Sequence, residues 1–110
     1  MIFRRLLTQW FVTDHVAEMA ERVAGRSRTA VWQRVMQRVG TLGPIEARGY
    51  IRARAIGVVQ AETDRLIEQE GDKVGRIREA VVQAALSQLL GLVLGQLEQR
   101  RLAAPRRRAA

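Results

Sequence analysis

The sequence predicts an all-α protein: a small helical bundle in which two short N-terminal helices pack on a long antiparallel helical hairpin. Three observations carry this. Only two prolines interrupt 110 residues, and long stretches consist of Ala, Leu, Gln, Glu and Arg, residues that lose little on entering a helix. Apolar positions recur every three or four residues rather than alternating. Gly25, Gly40, Pro44 and Gly71 fall where these periodic segments are expected to break.

The first helix, about residues 2–24, combines a face of Ile2, Phe3, Leu6, Leu7 and Trp10 with the set Val16, Met19, Ala20 and Val23, and Gly25 is its expected stop. The second, about 28–39, takes Ser27 or Thr29 as cap, Val31, Trp32, Val35, Met36 and Val39 as inward face, and Gly40 as terminator. The third, about 44–70, opens on Pro44, whose missing N–H had no partner in a first turn, with Glu46 meeting the positive helix end. Gly71 suits the C-cap and Asp72 the next N-cap, so the fourth helix, about 73–103, returns as the other arm of the hairpin. Residues 1–103 then form a single domain, and 104–110 a flexible basic tail that Pro105 cuts off from the helix.

Within this hairpin a turn at Gly71–Asp72 sets Gly57 level with Leu86, Ala53 with Leu90 and Gly49 with Leu94. The spacing of four makes Gly49, Ala53, Gly57 and Ala61 a small-residue stripe for helix packing against the leucine ridge Leu86, Leu90 and Leu94. On that reading Gly57→Leu forces the arms apart at a cost of several kcal/mol, and Leu90→Ala costs about 2–5 kcal/mol.

Residues 80–97 contain no charge in a chain that is 27% charged. Their length and flanking arginines suit a membrane span. Gln83, Gln88 and Gln96 oppose it: nine Leu and Val residues contribute about −3 to −5 kcal/mol to insertion, and one unpaired amide in hydrocarbon returns several kcal/mol. The segment therefore reads as a buried helix. Its apolar arc is too broad for one hairpin mate, so further cover comes from the N-terminal helices or from a second copy meeting Ser87, Gly91 and Gly95.

Chemistry-bearing patterns are few. The chain has no cysteine, which excludes a disulfide scaffold and a thiolate zinc site. His15 stands on one helix face with Glu18 and Glu21, a solvated face rather than a metal site, since no second histidine exists. No Gly-rich run has phosphate-loop spacing, and His15 is the only histidine available as a catalytic base. Neither an enzyme nor a cofactor is expected. No secretion signal is apparent, because Thr8, Gln9, Thr13 and Asp14 interrupt the first apolar run, so a cytoplasmic protein is expected, with membrane association as the alternative.

Charge is unevenly placed. Residues 1–40 carry seven basic and three acidic groups, 41–72 four and six, and 73–110 eight and two. The hairpin gathers Arg48, Arg52, Arg54, Arg100, Arg101, Arg106, Arg107 and Arg108 at one end, diluted by Glu46 and Glu98, with Glu62, Asp64, Glu68, Glu70 and Asp72 toward the turn. Such an end is suited to sequence-independent binding of nucleic acid through its phosphates. A helix–turn–helix around Gly25, presenting Arg28, Gln33, Arg34, Gln37 and Arg38, is a weaker reading of the same charges. The sequence thus points to a non-enzymatic interaction or assembly subunit that self-associates or meets a helical partner. The alternative is a peripheral or single-pass membrane protein using residues 80–97 or the aromatic, cationic N-terminus (Phe3, Arg4, Arg5, Trp10, Phe11).

Overall fold

A computed structural model describes residues 2–71 and 75–103, with side chains in the first helix placed from Asp14 onward. Three helices pack against one another: α1 (Ile2–Val39), α2 (Pro44–Glu70) and α3 (Arg78–Ala103). The all-α bundle is as expected, but its N-terminal part is not two short helices. α1 runs without a break through Gly25, Arg26 and Ser27.

Its register explains why. Met19, Ala20, Val23, Ala24, Ser27, Val31, Val35 and Val39 are all buried, at steps of three and four that carry straight across Gly25. An interior glycine costs a helix about 1 kcal/mol, less than a broken inward face would. Ser27, expected as a cap, is instead fully buried mid-helix, and its Oγ has no hydrogen-bond partner. Because Gly25 is exposed, with no atom near the position of an added Cβ and no positive φ, Gly25→Ala is expected to raise stability by about 0.5–1 kcal/mol in chemical denaturation. A glycine ending one helix with a left-handed cap would show the opposite sign.

The α1–α2 link is short and internally bonded. Thr41 and Leu42 donate backbone N–H groups to the carbonyls of Arg38 (3.1 Å) and Val39 (3.2 Å), and the Thr41 hydroxyl donates to the Arg38 carbonyl at 2.8 Å. Extended Gly43 then leads into Pro44, and the Ala47 N–H closes the first turn of α2 on the Gly43 carbonyl at 2.8 Å. At the far end Gly71 takes φ +90°, a conformation that favours glycine, and donates its N–H to the Ile67 carbonyl at 2.8 Å. The next described helix begins at Arg78 rather than at residue 73; Asp72 lies outside the described residues, as do Arg106, Arg107, Arg108 and the rest of the tail.

One core joins all three helices. α2 contributes Ala47, Ile51, Ala55, Val59, Thr63 and Leu66, and the Thr63 hydroxyl is satisfied by donating to the Val59 carbonyl at 2.8 Å. α3 contributes Val81, Val82, Ala85, Leu86, Leu89, Leu90, Val93 and Leu97, with Leu94 half-buried beside them. The leucine ridge therefore points inward. The stripe expected to receive it does not: Gly49, Ala53, Gly57 and Ala61 are all exposed. The true inward stripe has the same spacing but is displaced by two positions, which on a helix is about 200°, the opposite side. Ile51, Val59 and Leu66 decide the rotation, because burying them removes far more apolar surface from water than burying glycines does.

Candidate polyanion-binding end

The site is built from the last turns of α1, the first half of α2 and the last turns of α3. The link at 40–43 brings Arg38 next to the start of α2. The end of α3 reaches the same region, since the Arg100 guanidinium lies 5.8 Å from the centroid of the Trp32 ring on α1. Within α2 the Arg54 guanidinium covers the Tyr50 ring at 5.0 Å, one helical turn away. The two half-buried aromatic rings thus carry arginines on their faces. A further contact ties α1 to α3, with Arg28 Nε donating to Gln96 Oε1 at 3.2 Å.

Arg48, Arg52, Arg54, Arg100 and Arg101 are all exposed. The long helix α1 adds Arg34 and Arg38, which the split-helix reading had not placed at this end. They were findable, because a four-residue link obliges the end of one helix and the start of the next to be neighbours. Glu46 and Glu98 are the acidic groups on the adjoining turns. Two large apolar side chains stand out here as well, Ile45 at 89% and Leu102 at 78% exposure.

The other half of the molecule holds the described ion pairs. Arg22 Nη1 pairs with Glu70 Oε1 at 2.6 Å across α1 and α2, Arg65 with Glu62 at 3.2 Å, and Arg78 with Asp64 at 2.7 Å across α2 and α3. The Arg78 hydrogen bond, with its positive charge adding, holds the Asp64 carboxyl below its ordinary value. Its contribution to stability is therefore present above the ordinary carboxylate range and is lost as pH falls from that range through the lowered folded value. Among the described residues every ion pair lies in this half; Arg34, Arg38, Arg48, Arg52, Arg54, Arg100 and Arg101 make none.

Other candidates fare differently. His15 is half-buried and Glu18 and Glu21 are exposed, and no group of three His, Asp or Glu side chains among the described residues is placed to hold a metal. The helix–turn–helix reading is overturned, because α1 has no turn at Gly25. Ser87, Gly91 and Gly95 lie on the exposed face of α3, on the side away from the leucine ridge. The aromatic and cationic side chains of residues 3–11 lie outside the described ones. Comparison with protein-family models, with curated proteins and with solved structures finds no match to this chain.

Proposed function

We propose that the protein is a non-enzymatic helical interaction subunit whose arginine-rich end binds polyanions, nucleic acid first among them. The observation that carries this reading is the segregation of ion pairing. Arg22, Arg65 and Arg78 pair with carboxylates in one half of the molecule, and at the other end seven exposed arginines have no such partner among the described residues. An unpaired cluster of like charge is destabilising for the free protein and is relieved when phosphates replace its counterions. Arginine suits that role, since its planar fork bonds phosphate in bidentate fashion.

The expected result is binding to mixed-sequence oligonucleotides that weakens linearly in log affinity against log salt. Replacing Arg48, Arg52 and Arg54 with glutamine is expected to lower the slope by up to about 3 units without lowering the melting temperature, and removing residues 105–110 by up to about 3 more. Fluorescence anisotropy across a salt series checks both. Affinity that ignores salt and both changes would leave the basic end with no role beyond solubility.

A second reading is supported by Ile45 and Leu102. Exposed aliphatic side chains among arginines suit an anionic bilayer, where phosphates meet the guanidinium groups and the aliphatic tips enter the headgroup layer. Cosedimentation with phosphatidylserine vesicles that Ile45→Ser and Leu102→Ser abolish, with oligonucleotide binding intact, would separate this reading from the first.

A further inference from the structure

We infer that the ligand of the arginine-rich end is a single strand of nucleic acid, wound around the bundle, with unpaired bases stacking at two arginine–aromatic pairs, Arg54–Tyr50 and Arg100–Trp32. The inference rests on the polyanion reading of this end and names the form of nucleic acid that it takes.

The first ground is how the arginines are placed around the bundle. One residue turns a helix by about 100°, so a residue just before a buried position and one just after it lie on opposite flanks of the inward stripe. On α2, Arg48 and Arg52 follow the buried Ala47 and Ile51, whereas Arg54 precedes the buried Ala55. On α1, Trp32 follows the buried Val31, whereas Arg34 and Arg38 precede the buried Val35 and Val39. Each helix packs against both of the others, so its two flanks face two different neighbours. The flank of α1 that bears Trp32 is the one beside α3, because Arg100 reaches Trp32 and Gln96 accepts from Arg28. Arg34 and Arg38 therefore lie on the flank toward α2. Guanidinium groups thus surround this end rather than lining one side of it. A duplex is stiff over about 50 nm and meets such an end on one side only. A single strand is flexible enough to carry its phosphates around the circumference.

The second ground is what two of these arginines rest on. The Tyr50 and Trp32 rings are half-buried, and each carries a guanidinium over it, that of Arg54 at 5.0 Å and that of Arg100 at 5.8 Å from the ring centroid. A guanidinium holds its N–H donors in its own plane, so lying over a ring leaves them able to bond phosphate. Arg54 and Arg100 are themselves exposed, which leaves the outer side of each group open. Unpaired bases stack on arginine planes and on aromatic rings alike, so each pair is a platform for one base with a phosphate donor at its edge. A duplex keeps its bases in its own stack and offers such a platform only phosphate.

Fluorescence anisotropy on the full chain, with a labelled mixed-sequence single strand and the duplex of the same sequence at equal salt, tests this. The single strand is expected to bind more tightly, by about 5- to 100-fold. Arg54→Lys keeps the charge and loses the plane, at an exposed position that leaves the core untouched. It is expected to weaken single-strand binding by about 5-fold or more, with duplex binding and the salt slope unchanged. Tyr50→Leu is expected to do the same, and Tyr50→Phe, which keeps a ring under Arg54, to bind like the parent. Arg48→Gln and Arg54→Gln, on opposite flanks of α2, are each expected to lower single-strand affinity. A duplex bound as tightly as the single strand, or an Arg54→Lys variant that binds both forms like the parent or weakens both equally, would overturn the inference and leave the polyanion reading standing. Absence of salt-dependent binding to either form would overturn both.

Discussion

Leu89→Ala is expected to destabilise the protein by about 2–5 kcal/mol. Leu89 is fully buried near the middle of α3, the helix that packs against both others, so the space left by its lost methyls is walled on several sides and cannot readily collapse. For a domain of this size each kcal/mol moves the melting temperature by about 4–8 °C, so the loss is visible in a thermal scan at fixed concentration. Leu102→Ala is the companion measurement. At 78% exposure its truncation removes little buried surface and is expected to be nearly neutral. Equal melting of the two variants would mean that α3 presents a different face to the core.

Ala55→Leu and Gly57→Leu are expected to move stability in opposite directions, although the two positions are two residues apart. Ala55 is fully buried on the inward stripe of α2, and three extra carbons there force neighbours off their rotamers or the helices apart, at a cost of about 1–3 kcal/mol. Gly57 is exposed with nothing within 4 Å of an added Cβ, so a leucine gains helix propensity of about 0.5–1 kcal/mol and collides with nothing. Denaturant midpoints of both variants check this. The result for Gly57 reverses the cost expected when the small residues are placed against the leucine ridge. A large loss at Gly57 with none at Ala55 would restore that arrangement.

How far the fold can be read without coordinates differs from element to element. The start of α2 is legible because Pro44 and Glu46 are local signals whose physics needs no neighbours. The positive φ of Gly71 is legible for the same reason. Gly25 misleads because a helix stop and an interior glycine look alike locally, and only the inward register running from Val23 and Ala24 through Ser27 to Val31 distinguishes them. That register is present in the sequence, but a polar Ser27 in the middle of it hides the continuity. The candidate site is partly legible: the arginines of α2 and α3 are joined by the hairpin alone, and Arg34 and Arg38 follow from the four-residue link at 40–43, which sets the end of α1 beside the start of α2.

What the amino-acid order determines by itself is helix nearly throughout, the link at 40–43, the turn after Glu70, the absence of thiol chemistry and the uneven charge along the chain. These follow from backbone propensity, capping and composition, which act within a few residues of where they are written. Tertiary structure decides which way each helix is rotated. On α2, two stripes of equal spacing compete, and the stripe carrying Ile51, Val59 and Leu66 turns inward because apolar surface removed from water outweighs the closer approach that Gly49 and Gly57 allow. That rotation exposes the glycines. The packing of all three helices together also determines which side of α3 is covered, and so leaves Ser87, Gly91 and Gly95 exposed.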